Sequence, residues 1–99
     1  MPKLVRDKIP KIIISQGKIP IYRELDHKEF KKELALKLIE EAKEFQEDQN
    51  IEELADIIEV FDAIMREYGF TDKQLEQARA QKKNDRGGFD EMLYLIDIK

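Results

Sequence analysis

The sequence predicts an all-α fold whose centre is an antiparallel hairpin of two long helices. Apolar residues recur at helical spacing over residues 26–48 and 50–68. Asp26 and Asn50 each stand three residues before a glutamate, which is a capping-box signature of a helix start, and Gly69 is a typical helix end. Because the connection between the two segments is so short, we expect the helices to fold back on each other.

Two shorter helices are predicted on either side of this hairpin. Residues 4–16 predict the first of them, with Asp7 as a plausible N-cap and Gly17 as its end. The second, which is polar, begins at Thr71 and breaks down over residues 82–88.

The remaining segments have strand-like patterns. Residues 19–25 look extended, with Pro20 suggesting an edge strand, and residues 92–98 alternate in the manner of a strand. We therefore expect these two segments to form a small two-stranded β element.

Composition limits the class of protein. The chain has 99 residues, which suits one domain over residues 1–99, and with 41% apolar residues it is globular despite being 40% charged. No stretch reaches the ~18 uninterrupted apolar residues of a membrane span, so we expect no membrane partner. The first residues contain no apolar signal region, which favours a cytoplasmic location. A net charge of −4 argues against a nucleic-acid polymer as partner.

The residue types also limit the metals that the chain can bind. It has no cysteine and only one histidine, His27, so thiolate sites and histidine-rich zinc sites are excluded. Any metal must therefore be held by oxygen ligands, which favours Mg²⁺ or Mn²⁺.

Four acidic residues of the two long helices predict such a site. At ~100° per residue, Glu41 falls inside the apolar arc of the first long helix and Glu53 inside that of the second. Glu44 and Asp56 follow three residues later, at the edges of the same arcs. Carboxylates on a buried face are costly unless a cation compensates them, and a hard divalent cation does so.

Other interpretations of these acids stay open. Glu53 can be the N3 partner of Asn50 in a capping box, and Glu40 and Glu44 can be solvated charges beside nearby lysines. An E-x-x-D pair also arises by chance in a glutamate-rich chain, and residues 59–62 contain a second one.

Three ordered motifs resemble one enzyme superfamily. Residues 40–44 (EEAKE) and 53–56 (ELAD) resemble the E-E-x-x-E … E-x-x-D signature of the all-α nucleoside-triphosphate pyrophosphatases, which include MazG, dimeric dUTPases and phosphoribosyl-ATP pyrophosphatase. Residues 3–10 and 82–89 are similar to a small, single-domain, MazG-like branch whose members are predicted to be house-cleaning pyrophosphatases. The resemblance spans nearly the whole chain, although the gap between Glu44 and Glu53 is shorter than in better-studied relatives.

The resemblance implies a Mg²⁺-dependent enzyme, with Mn²⁺ as an alternative ion. It would cleave a nucleoside triphosphate, standard or non-canonical, into the monophosphate and pyrophosphate. By this resemblance, Glu41, Glu44, Glu53 and Asp56 ligate the metal, and Glu40 assists the metal shell or the attacking water as a catalytic residue together with Glu41.

A triphosphate substrate also needs cations. Arg86 is the first candidate, because the two glycines after it let a guanidinium and backbone N–H groups approach a phosphate together. The other candidates are Lys82, Lys83, Arg6 and Lys8. An ordinary solvated charge run is the alternative for Lys82 and Lys83.

The width of the second long helix's apolar face predicts self-association. The face covers more than half of the helix circumference, which is too wide for one partner helix. We expect a homodimer or homotetramer in which two chains complete a four-helix-type bundle. Two other functions stay open: hydrolysis of phosphoribosyl-ATP, and a catalytically silent helical dimerisation module whose acids form interhelical salt bridges.

Overall fold

The computed structural model describes residues 2–99, and all of the regular structure over these residues is helical. Helices α1 (Ile9–Ser15), α2 (His27–Asp48), α3 (Ile51–Tyr68) and α4 (Asp72–Arg86) follow one another along the chain. This confirms the all-α prediction. The chain divides into two compact units, Met1–Gly69 and Phe70–Lys99. A single domain over residues 1–99 stays a prediction.

Helices α2 and α3 form the predicted antiparallel hairpin within the first unit. The turn between them consists of Gln49, in the left-handed conformation at φ 50°, and Asn50. The Asn50 side chain accepts a hydrogen bond from the backbone N–H of Glu53 at 3.1 Å, and Gly69 ends α3 at φ 68°. Both helices begin and end where the sequence predicts because side-chain caps and left-handed C-caps act locally.

The hairpin has a small core. Leu34 of α2 and Met65 of α3 are its buried apolar side chains, with 2% and 8% of their surface exposed. A hydrogen-bond contact joins the start of α2 to the end of α3, where Nδ1 of His27 lies 2.5 Å from Oε1 of Glu67. The start of α2 and the end of α3 therefore lie side by side, as an antiparallel hairpin requires.

Helix α1 is shorter than predicted. It begins at Ile9 with Lys8 as N-cap and without a side-chain cap, so the prediction of Asp7 as N-cap is wrong. Proline lacks an N–H and its ring clashes with the preceding turn, which restricts Pro10 to the first turn of the helix. Residues 2–8 are consequently an irregular segment ahead of α1.

The predicted β element is wrong. No strand occurs over residues 2–99, and within this range the backbone hydrogen bonds of 19–25 and 92–98 reach no further than the one that Met92 N–H donates to the nearby Phe89 carbonyl at 3.4 Å. Alternating side chains only determine which residues share a face. A strand also needs a partner backbone to complete its ladder, and Pro20 lacks one of the donors.

Several large apolar side chains of the hairpin are exposed. Leu36 and Ile39 of α2 and Leu54 and Ile58 of α3 each leave about half of their surface open to solvent. The predicted bundle between two chains would cover such residues, but it stays a prediction. Over residues 2–99, no helix combines the length and apolar character that crossing a bilayer requires.

We expect Leu34→Ala to destabilise the protein by about 2–5 kcal/mol, because it leaves a cavity at the most buried position of the hairpin. The matched control is Lys32→Ala on the same helix, which should change stability by less than about 0.5 kcal/mol because Lys32 is an exposed polar position. Urea unfolding followed by circular dichroism measures both. Equal effects would contradict a core centred on Leu34.

Candidate functional site

Three acidic residues meet where α2 faces the beginning of α3. Glu41, Glu53 and Asp56 each offer one carboxylate oxygen, and these three oxygens lie within 4.8 Å of one another. Glu41 leaves only 8% of its surface exposed, as little as Met65, while Glu53 and Asp56 are half-buried. The helical projection had predicted that Glu41 faces the core, and its burial confirms this.

A second cluster lies closer to the turn. Glu44, Asp48 and Glu53 also offer oxygens within 4.8 Å of one another, so Glu53 belongs to both clusters. All four acids predicted as metal ligands thus occur in these two groups. Asp48 was missed by the sequence analysis, although its position four residues after Glu44 on the same helix face could have indicated it.

Glu53 is the acid of the two clusters whose pKa is clearly shifted. Its burial first, and then the negative charges of Asp48, Asp56 and Glu44, raise the pKa of Glu53 above its ordinary value. The backbone N–H of Glu53 is bound by Asn50, but the return bond of a full capping box is not formed within the described residues. Only the backbone N–H of Glu53 therefore takes part in the helix cap, and its carboxylate belongs to the two acid clusters.

Two cations partly neutralise the first cluster. Nη2 of Arg6, in the irregular segment before α1, donates to Oδ1 of Asp56 at 2.5 Å. Nζ of Lys37 lies 3.3 Å from a carboxylate oxygen of Glu41 and equally far from one of Glu40. Lys37 stands four residues before Glu41 on the same face of α2, so the sequence spacing alone could have predicted this ion pair. The Arg6 contact spans fifty residues and has no local signal.

A cleft of about 400 Å³ opens beside these residues. Its walls include Glu41 and Asp56, apolar side chains such as Phe30 and Val60, and four cations: Arg6, Lys8, Lys37 and Arg66. Lys8 and Arg66 form no ion pair with any described residue. The cleft therefore combines carboxylates, free positive charge and an apolar wall.

The predicted phosphate-binding residues fall into two groups. Arg6 and Lys8 line the cleft of the first unit, whereas Lys82, Lys83 and Arg86 lie at the exposed end of α4 in the second unit. Gly87 follows Arg86 with a φ of 82°, a conformation that favours glycine. Roles for these three α4 residues stay predictions. Arg66 was missed, although it continues the helical spacing of Asp56, Glu59 and Ala63 along one side of α3.

The donor set fits a hard divalent cation. Every candidate ligand is a carboxylate oxygen, which is the donor that Mg²⁺ and Mn²⁺ prefer. Any three ligands of an octahedral Mg²⁺ include at least two neighbouring pairs about 3 Å apart, so the side chains of either cluster would have to draw closer together to enclose an ion.

Comparisons of the chain with protein-family models, curated proteins and solved structures return no match. The resemblance of the motifs to the MazG-like pyrophosphatases consequently stays a prediction.

We expect Glu53→Gln to raise the melting temperature of the metal-free protein by a few degrees at about pH 7. A raised carboxyl pKa means that the folded state disfavours the charged form, so this stability is present below the ordinary pKa of glutamate and is lost as pH rises through the higher folded value. The difference between wild type and variant should therefore vanish near about pH 3.5.

Glu52→Gln is the matched control, because Glu52 lies in the same first turn of α3 but in neither acid cluster. Both changes remove a charge that favours the helix start. A gain in melting temperature for both variants, or for neither, would contradict repulsion centred on Glu53. Differential scanning calorimetry in the presence of a chelator measures the effect.

Proposed function

We propose that this chain is a cytoplasmic, Mg²⁺-dependent nucleotide pyrophosphohydrolase. Its substrate would be a nucleoside triphosphate, standard or non-canonical, and its products the nucleoside monophosphate and pyrophosphate. The observation that carries the proposal is the convergence of the buried Glu41 with Glu53 and Asp56 beside a cleft that contains unpaired cations.

An excess of negative charge supports a metal at this position. The two clusters contain five carboxylates, and the ion pairs of the described residues supply two cations to them, Arg6 and Lys37. Glu53 belongs to both clusters and forms no ion pair with any residue from 2 to 99. Uncompensated carboxylates in a half-buried place are costly, and a divalent cation removes that cost.

The cleft offers suitable contacts for a nucleotide. Lys8 and Arg66 are free to bind phosphate oxygens, and a guanidinium can do so through two parallel hydrogen bonds. The apolar wall around Phe30 and Val60 can receive the nucleoside. Positive charge and apolar surface in one cleft next to carboxylates favour a substrate that is both anionic and partly apolar.

The carboxylates would divide the chemistry. Glu41, Glu53 and Asp56, with Glu44, would hold the metal, which when bound would neutralise phosphate charge and lower the pKa of the attacking water. Glu40 accepts the proton of the attacking water as general base, and Lys37 holds Glu40 in position from 3.3 Å. The new bond forms between the water oxygen and phosphorus, the α–β phosphoanhydride bond breaks, and pyrophosphate leaves.

A second candidate function is a catalytically silent helical dimerisation module. The ion pairs of Arg6 with Asp56 and of Lys37 with Glu41 favour it, because they give two of the acids a purely structural partner. Neither pair joins α2 to α3, however, so neither is one of the interhelical bridges that this function calls for. Added Mg²⁺ separates the two functions, since it stabilises only a protein that binds it in the folded state.

We expect pyrophosphate release from at least one nucleotide in a screen of standard and damaged triphosphates with Mg²⁺ and Mn²⁺. Glu41→Gln should lower kcat at least about 100-fold, because it removes a metal ligand and charge from the centre of the site. Glu47→Gln, on an exposed part of α2, is the control and should leave kcat unchanged. Absence of any hydrolysis, or equal activity of Glu41→Gln and wild type, would contradict the enzyme.

We further expect a homodimer or homotetramer in solution. A second copy would cover the exposed apolar residues of α2 and α3 and complete a four-helix bundle. Sedimentation velocity should give at least the mass of two chains, and Ile58→Lys should shift the distribution towards the monomer because it introduces a charge at the exposed face. A wild-type protein that sediments as a stable monomer would contradict this assembly.

A further inference from the structure

The ion pair between Arg6 and Asp56 connects the irregular segment before α1 to a candidate metal ligand. Nη2 of Arg6 donates to Oδ1 of Asp56 at 2.5 Å, and the two side chains remain 57% and 38% exposed. Exposed pairs of this kind contribute little to stability, because water screens them and two long side chains must be held in one arrangement. The contact is therefore easily exchanged for another.

Arg6 and a metal ion cannot both be neighbours of Asp56 without repulsion. A divalent ion on the same carboxylate would lie about 2.1 Å from its oxygen, which brings it within a few ångströms of the guanidinium. Asp56 also lies within reach of Glu41 and Glu53, so the ion gains three ligands where Arg6 has one. An incoming metal thus favours the departure of Arg6.

The other resident cation is held differently. Lys37 is only 18% exposed and contacts Glu40 and Glu41 from within the same helix, at the three- and four-residue spacings. Its position is fixed by α2. Arg6 belongs to an irregular segment, and its side chain can rotate away from Asp56 at little cost.

A released Arg6 would remain in the cleft. It lines the same walls as Lys8 and Arg66, which already present positive charge without a carboxylate partner. A third cation there increases the attraction for a chain of phosphates, and the planar guanidinium suits bidentate binding of phosphate oxygens.

We propose that Arg6 is an exchangeable counter-ion: it neutralises Asp56 until a divalent cation displaces it, and it then binds the phosphate chain of the ligand in the cleft. This inference rests on the metal site of the proposed function. It predicts effects of opposite sign, since Arg6 weakens the binding of the bare metal and strengthens the binding of a metal-bound polyphosphate.

Binding measurements on the full chain test this without any turnover. Isothermal titration calorimetry with Mn²⁺ alone, and then with preformed Mn²⁺–tripolyphosphate, is carried out on wild type, Arg6→Ala and Arg23→Ala. Arg23→Ala is the matched control because it removes the same charge and a different exposed arginine–carboxylate pair, at 2.8 Å to Glu29, which belongs to neither acid cluster. Arg6→Gln replaces Arg6→Ala if the alanine variant does not fold.

We expect the Arg6 variant to bind Mn²⁺ about three- to tenfold more tightly than wild type and Mn²⁺–tripolyphosphate about tenfold more weakly. The Arg23 variant should match wild type in both titrations. Mn²⁺ binding to the Arg6 variant alone, with none detected for wild type, would also support the exchange.

Unchanged or weaker Mn²⁺ binding by the Arg6 variant would overturn it, because Arg6 would then merely hold Asp56 in place. Absence of Mn²⁺ binding by both proteins would overturn it too, as would tighter metal binding with unaltered binding of tripolyphosphate. Since no nucleotide is cleaved in these titrations, failure of the exchange is distinguishable from failure of the pyrophosphohydrolase activity.

Discussion

A carboxylate that is buried between two helices must be balanced by positive charge, and this constraint governs the arrangement around Glu41. Glu41 exposes as little of its surface as Met65 in the core, although its side chain is a carboxylate. Lys37 supplies one balancing charge from a position fixed by the same helix. The approach of Glu53 and Asp56 adds negative charge rather than removing it, so the arrangement is stable only to the extent that further cations are available.

The two-residue turn between α2 and α3 produces this convergence of acids. Helices that fold back over Gln49 and Asn50 bring residues at similar distances from the turn opposite each other. All five clustered acids lie within about three helical turns of that connection. The same turn that fixes the hairpin therefore also concentrates the carboxylates, and the pKa of Glu53 is raised first by its burial and then by the neighbouring negative charges.

Part of the positive charge near the acids comes from a segment that has no regular structure. The segment before α1 adds Arg6 to the acids and Lys8 to the wall of the cleft, while α3 adds Arg66. Cations from the segment before α1 and from α3 thus line the same cleft within the first unit. Such a cleft has the two properties that a metal-bound anion requires, because its acidic part can hold a metal and its basic part can hold phosphate. The unpaired state of Lys8 and Arg66 is what distinguishes it from a set of closed structural ion pairs.

Much of the fold was predictable from local signals. The ends of α2 and α3 follow from the caps at Asp26 and Asn50 and from Gly69, since each cap is satisfied by residues no more than a few positions away. The burial of Glu41 followed from its angular position on α2. The predicted start of α1 at residue 4 was too early, because Pro10 has no N–H and belongs in the first turn of a helix, which here begins at Ile9.

The candidate site was predictable only where its members lie on the two long helices. Glu44 and Asp56 are on the expected faces, and the same spacing would have identified Asp48 and Lys37. The sequence by itself thus determined the helical class, the hairpin and the face that carries the acids, because helical periodicity and capping are local properties. Only the tertiary structure decided that Glu53 joins two clusters, that Arg6 reaches Asp56 across fifty residues, and that residues 19–25 and 92–98 are not strands. Those outcomes depend on which distant groups come into contact, and no local pattern of residues encodes such contacts.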